Sequence, residues 1–115
     1  MGKSHHHIDY VEFPSTALEP VKAFYGKAFG WTFADYGPTY AAPQNAGLDG
    51  GFQADANEAP AKPLIILYSD NLDASLVAVT GAGGMVTKTI FDFPGGRRFH
   101  FTDPAGNELA VWSDK

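Results

Sequence analysis

Two stretches of this sequence carry the same order of predicted elements, offset by 54 residues. The offset relates Tyr10 to Leu64, Ala17 to Asn71 and Gly30 to Gly84. Each stretch reads as a strand, a helix and three further strands, and few residues are identical between the two. The repeat therefore depends on element order and spacing, with a chance match of two short patterns as the alternative. If genuine, it predicts an α+β protein built from two βαβββ modules.

The clearest piece of the second stretch is a predicted hairpin. Asp103–Asn107 contains Pro, Gly, Asp and Asn, which are the residue types that favour a tight turn. On the strand before the turn, Phe99 and Phe101 share one face. Arg98 and His100 share the other face, because side chains alternate along a strand. A hairpin with one apolar and one polar side fits a sheet that lies between a core and a cleft.

The chain length fits one domain with a substantial core, and we predict a single domain over residues 1–115. Within it we expect a first module at 8–54, a linker at 55–63 and a second module at 64–113. The linker is small, polar and contains Pro.

Charge and composition exclude several partners. The net charge is −5, and Arg97–Arg98 is the only basic run, so we expect neither nucleic acid nor a membrane surface as a partner. The chain has no Cys, which excludes disulfides and thiolate chemistry. The start lacks the apolar core of a signal peptide, and Leu64–Leu67 is too short to span a bilayer. We therefore expect a cytoplasmic protein.

The beginning of the chain precedes a predicted strand at Ile8–Phe13. We expect Met1–Ser4 to be a frayed lead and His5–His7 to be a flexible terminus, either native or left from cloning. A flexible His run can bind metal ions adventitiously without forming a defined metal site.

Capping residues predict the limits of two helices. Thr16 followed by Glu19 forms a capping-box pattern at the first helix, and Gly30 is placed to end it. Asp70 or Asn71 is placed to cap the second helix.

Three segments carry a family resemblance: Val11–Pro14, Ala23–Trp31 and Asp103–Asn107. Together they resemble the vicinal oxygen chelate superfamily, which includes glyoxalases, bleomycin-resistance-type binding proteins and extradiol dioxygenases. The resemblance spans Ile8–Ser113. It implies two βαβββ modules with curved mixed sheets around a central cavity, helices on the convex face, and a homodimer.

The metal-dependent members of that family place His or Glu at four cavity positions. By the resemblance, three of these positions are Tyr10, Leu64 and Ala110, and the only donor near the fourth is Gln53. Leu and Ala offer no lone pair to a metal ion. We therefore expect no bound metal and no cofactor.

The alternation along the strands supplies the predicted ligand-binding set. Helices are expected against the face that carries Val11, Phe13, Ile65, Leu67, Leu109 and Val111. The opposite face mixes apolar walls with polar groups, as ligand cavities do. The predicted ligand-binding residues are Tyr10, Glu12, Gln53, Leu64, Ile66, Tyr68, Arg98, His100, Ala110 and Trp112.

Two functions fit this pattern. The first is a glyoxalase/bleomycin-resistance-like protein that binds a small molecule in a sheet-lined cavity without the family metal. The second is a lyase or isomerase that uses Glu12 as the catalytic residue, with Tyr10 or an Arg as its acid–base partner. Glu12 paired with Arg97 or Arg98 in a structural ion pair is the non-catalytic alternative.

The assembly state follows from the same face. An open sheet face with Tyr68 and Trp112 exposed would need cover, so we predict a homodimer.

Overall fold

A computed structural model describes residues 3–115 of the chain. Its elements are β1 (Ile8–Pro14), α1 (Leu18–Phe29), β2 (Phe33–Asp35), β3 (Tyr40–Pro43), β4 (Asp49–Gln53), β5 (Leu64–Tyr68), α2 (Leu72–Gly81), β6 (Met85–Phe93), β7 (Gly96–Thr102) and β8 (Glu108–Ser113). The order is βαβββ twice, which confirms the predicted α+β fold class. Residues 54–63 carry neither helix nor strand.

The chain divides into two compact units, and the first covers residues 10–64. Its strands lie in the order β2-β3-β4-β1, with β1 parallel to β4 and the other pairs antiparallel. Leu18 of α1 packs with Ala41 and Phe52 in the core. The Phe13 and Phe52 rings stack with centroids 4.7 Å apart. Phe13 therefore faces the helix side, as the alternation predicts.

The second unit contains the described residues 3–9 and 65–115. Its strand order, β6-β7-β8-β5, matches that of the first unit, with β5 parallel to β8. Its core joins Leu72 of α2 to Phe99 and Val111 of the sheet. The matching order and strand directions support the repeat inferred from the 54-residue offset.

The helix ends match the sequence in part. The Asn71 side chain accepts a hydrogen bond from the Ala74 N–H and caps α2, as expected. Gly30 ends α1 at φ 74°, a left-handed conformation that favours glycine. The Thr16 cap is wrong, because α1 begins after Ala17 without a side-chain cap.

The residues before β1 form hydrogen bonds with β5 and α2 of the second unit. The prediction of a flexible terminus at His5–His7 is therefore wrong. The His6 N–H donates to the Tyr68 carbonyl, and the Tyr68 N–H donates to the His7 carbonyl. The His6 ring also lies 2.8 Å from the Ser75 hydroxyl. Of the expected frayed lead, Lys3 pairs with Asp114 at 2.7 Å, while Met1 and Gly2 lie outside the described residues.

Two other expectations bear on the surface of the protein. No helix within residues 3–115 is long and apolar enough to cross a membrane. Tyr68 is 2% exposed, so the argument for a homodimer from an exposed Tyr68 does not hold. The homodimer, like the single-domain assignment, stays a prediction.

Gly51 of β4 provides a test of packing in the first unit. A Cβ at this position would overlap the Tyr40 hydroxyl and lie 2.6 Å from the Tyr10 hydroxyl. Gly51→Ala is expected to lower the free energy of unfolding by about 1–3 kcal/mol, because the two rings must shift. Gly81→Ala is the matched control, since a Cβ there meets nothing within 4 Å. Equal urea midpoints for both variants would contradict the packing described for Gly51.

Candidate functional site

Six of the predicted ligand-binding residues lie on one face of the second unit. Leu67, Phe99 and Val111 point toward α2, so their strand neighbours point to the opposite side of the sheet. We call this side the helix-free face and define it by Ile66, Tyr68, Arg98, His100, Ala110 and Trp112.

The strand register arranges these residues in two rows across β5, β8 and β7. The first row is Tyr68, Trp112 and Arg98, since Trp112 is paired with both of the others. The second row is Ile66, Ala110 and His100, with Ala110 in the centre. Directly opposed residues on one face lie in side-chain contact.

Arg98 occupies the β7 end of the first row, opposite Phe91 of β6. Its guanidinium carbon lies 5.3 Å from the Phe91 ring centroid and 5.5 Å from that of Phe93. These distances are typical of cation–π contacts, and such contacts hold the guanidinium against the two rings. The buried Nε of Arg98 has no hydrogen-bond partner in the described part of the chain. Its neighbour Arg97 points to the other side, where it pairs with Asp73 at 3.4 Å.

His100 occupies the corresponding end of the second row and is 4% exposed. Its Nδ1 lies 3.6 Å from Oε2 of Glu108. Its Nε2 is buried and has no hydrogen-bond partner among residues 3–115. An unsatisfied buried polar atom costs about 1–3 kcal/mol, so such atoms are rare in native proteins.

Burial lowers the pKa of His100 to about 4, and the charges of Arg98 and Lys88 act in the same direction. The Glu108 carboxylate opposes this change. The imidazole is therefore neutral near pH 7, and one of its two nitrogens carries an unshared lone pair.

The other end of the first row is structural. The Tyr68 hydroxyl donates to Asp114 at 2.5 Å, and this hydrogen bond with burial raises the pKa of Tyr68 to about 12. The Trp112 indole N–H donates to Asp9 at 3.0 Å. Sequence reasoning missed Asp9 and Asp114 as the partners of these two rings. Both rings present aromatic surface rather than free polar groups.

The remaining predicted residues belong to the first unit. The Tyr10 and Tyr40 hydroxyls share a hydrogen bond, and burial together with the nearby Glu12 charge raises the pKa of Tyr10. Glu12 is 7% exposed and lies opposite Gly51 in the register. The Gln53 side-chain oxygen accepts from the Asp55 N–H at 3.0 Å, so it is engaged locally.

The donor chemistry of the four family metal positions does not fit a metal ion. Leu64 and Ala110 are buried hydrocarbon side chains, the Tyr10 hydroxyl is bonded to Tyr40, and Gln53 is a weak neutral donor. Divalent metals in proteins need several convergent His, Asp, Glu or Cys ligands. Within residues 3–115 no group of three or more such residues could hold a metal.

Neither of two surface concavities is lined by residues of the helix-free face. One, of about 420 Å³, is lined by residues 43–49. The other, of about 270 Å³, lies between α2 and the sheet and is lined mainly by apolar side chains such as Leu67, Val79 and Phe101. The central cavity expected from the family resemblance is thus neither of these two, and it stays a prediction.

Comparison with known proteins identifies one family. The model of the Glyoxalase/Bleomycin resistance protein/Dioxygenase superfamily matches residues 7–111. Among curated proteins, none matches this sequence.

Many solved structures are similar to this chain, and three of them serve as examples. The NAD-dependent benzaldehyde dehydrogenase from Legionella pneumophila has a TM-score of 0.73 at 16% identity, covering 92% of this chain and 98% of that one. Methylmalonyl-CoA epimerase from Mycobacterium tuberculosis has a TM-score of 0.69 at 12% identity, covering 98% and 91%. The Mn(II)-bound glyoxalase from Novosphingobium aromaticivorans has a TM-score of 0.67 at 24% identity, covering 96% of this chain but 39% of that one. At these identities the likeness concerns the fold alone.

Titration of His100 gives a prediction for stability. Its folded pKa of about 4 lies below the ordinary value of 6.5, so between these values the unfolded chain binds more protons at this residue. The contribution of neutral His100 to stability is therefore complete above pH 6.5 and is lost as the pH falls toward 4. His100→Gln removes the titrating group, so its melting temperature should fall less than that of the wild type between about pH 7 and about pH 4.5. If the melting temperatures of wild type and His100→Gln fall by the same amount across this pH range, His100 is not held neutral.

The metal positions give a second prediction. Protein dialysed against buffer should retain far less than one equivalent of Mn, Fe, Ni or Zn by elemental analysis, because Leu64 and Ala110 provide no donor atom. A variant with His5 and His7 changed to Asn controls for casual binding by the His run. One equivalent of bound metal in that variant would contradict the prediction that these positions hold no metal ion.

Proposed function

Because the chain belongs to the Glyoxalase/Bleomycin resistance protein/Dioxygenase superfamily, we propose that it binds a small molecule on the helix-free face without the family metal. One observation carries this proposal: Nε2 of His100 and Nε of Arg98 are buried without partners among residues 3–115. A ligand that hydrogen-bonds to both atoms would recover the cost of leaving them unsatisfied.

The surroundings of these two atoms support a binding role. Aromatic surface beside Arg98 is provided by Phe91, Phe93 and Trp112. The residue opposite His100 is Ala110, whose side chain is a single methyl group. Small-molecule sites commonly combine apolar walls with a few polar groups that fix orientation. Tyr10, Glu12 and Gln53 stay predictions from the sequence, and this proposal uses only residues of the second unit.

The alternative, a lyase or isomerase based on Glu12 and Tyr10, has weaker support. The raised pKa of Tyr10 keeps its hydroxyl protonated near neutral pH, so beside Glu12 it could act only as a hydrogen-bond donor or acid. The Tyr10 hydroxyl is also engaged by Tyr40. Of the two Arg residues available as an acid–base partner, Arg97 pairs with Asp73 at 3.4 Å.

A library of small metabolites, screened by NMR on ¹⁵N-labelled protein, tests the proposal. A ligand should shift the amide signals of Arg98 and His100 and the indole signal of Trp112, which Trp112→Phe assigns. Arg98→Met should weaken binding about tenfold or more, since it removes a charged hydrogen-bonding partner. Arg97→Met is the matched control and should retain binding, because Arg97 lies on the other side of the sheet.

Two results would count against this function. One is a library in which every compound that binds has equal affinity for Arg98→Met and wild type. The other is a set of ligands whose shifts cluster at residues 43–49 rather than on the helix-free face.

A further inference from the structure

The charges around His100 favour an anion. Arg98 and Lys88 both act on the imidazole as positive neighbours, and Glu108 is the opposing negative one. Lys88 lies opposite His100 in the β6–β7 register, and Phe91 lies opposite Arg98. The Glu108 carboxylate lies 3.6 Å from Nδ1 of His100 and its side chain is 42% exposed, so its charge acts on the adjacent ring nitrogen and is screened by solvent at larger distances. The part of the helix-free face around His100 and Arg98 therefore has two positive neighbours, although the chain as a whole carries a charge of −5.

The guanidinium of Arg98 is suited to a carboxylate. Its position against Phe91 and Phe93 restricts its motion, so little conformational freedom remains to be lost on binding. Among the described residues, Arg97 is at ion-pair distance from a carboxylate and Arg98 is not. The planar fork of a guanidinium matches a carboxylate with two parallel hydrogen bonds.

The imidazole of His100 requires a different partner. The negative Glu108 oxygen lies 3.6 Å from Nδ1, and its charge favours the tautomer that carries the proton on Nδ1. In that neutral tautomer Nε2 is an acceptor. The unsatisfied Nε2 atom therefore calls for a ligand group that donates a hydrogen bond.

The strand geometry sets the spacing of the two residues from which these groups extend. Arg98 and His100 are two residues apart on one face of β7, so their Cα atoms are about 6.4–6.8 Å apart. This spacing suits a carboxylate and a hydroxyl separated by part of a ring better than groups on adjacent atoms. The aromatic side chains beside Arg98 suit a planar ligand body.

We infer that the helix-free face takes a hydroxyaryl carboxylate, whose carboxylate binds Arg98 and whose hydroxyl donates to Nε2 of His100. The inference rests on the proposed small-molecule function and names its ligand class. Glu108 acts as a positioning residue, since it selects the imidazole tautomer, and Thr87 holds Glu108 by donating to Oε2 at 3.2 Å.

Isothermal titration calorimetry with 3-hydroxybenzoate, 3-methoxybenzoate and benzoate tests this inference. All three carry the ring and the carboxylate, but only 3-hydroxybenzoate has a hydroxyl donor. It should bind about tenfold more tightly than the other two, which is the effect of one hydrogen bond to a buried acceptor. Arg98→Met should weaken all three by about tenfold or more, and Arg98→Lys should weaken them less.

Glu108→Gln provides the readout that separates positioning from simple packing. The Gln side-chain amide can donate to Nδ1 as well as accept from it, so the substitution removes the bias of the carboxylate toward the tautomer with the proton on Nδ1. The preference for 3-hydroxybenzoate over 3-methoxybenzoate should then fall to less than about twofold, while benzoate binds as well as or better than before. Melting curves of each variant confirm that it is folded.

Each possible result of these titrations either supports or overturns the inferred ligand class. Equal affinity of wild type for 3-hydroxybenzoate and 3-methoxybenzoate, a preference that Glu108→Gln leaves intact, or no binding of 3-hydroxybenzoate would each overturn it. If 3-hydroxybenzoate fails while a library compound still depends on Arg98, the ligand class is wrong and the proposed function stands. If no library compound depends on Arg98, the proposed function itself fails.

Discussion

The burial of Phe99 against α2 is the constraint on which the second unit depends. Phe99 is fully buried and packs with Leu72 and Val111. Burial of a Phe side chain contributes about 2–3 kcal/mol, and a shift of one residue along β7 would expose it. Because neighbours alternate, the same packing forces Arg98 and His100 onto the side of the sheet that α2 does not cover. The chemistry of the helix-free face is therefore a consequence of core packing.

Side-chain alternation made most of this arrangement predictable. The residues expected on the cavity side of β7 and β8 do share one face. The turn at Asp103–Asn107 also follows its local residue types, with the Asp103 carboxylate accepting from the Ala105 and Asn107 N–H groups. These features depend on neighbours in the sequence, which is why sequence reasoning reaches them.

The features that sequence reasoning missed depend on contacts between distant residues. Lys3 and Asp114 are 111 positions apart. No local pattern indicates that they pair with each other or that Lys3 lies over the Tyr68 and Trp112 rings. The same holds for the His5–His7 run, whose backbone pairs with Tyr68. At Thr16 the local pattern was present, but α1 begins after Ala17 without a side-chain cap. The protonation of His100 likewise depends on burial and on Glu108, which the sequence alone cannot place at 3.6 Å.

The central claim is that His100 offers an unpaired acceptor at Nε2 beside Arg98. Long-range ¹H–¹⁵N NMR of the imidazole ring near pH 7 measures this directly, because protonated and unprotonated ring nitrogens resonate far apart. The account predicts a neutral ring with the proton on Nδ1 and a bare Nε2. A doubly protonated ring, or a proton on Nε2, would contradict it.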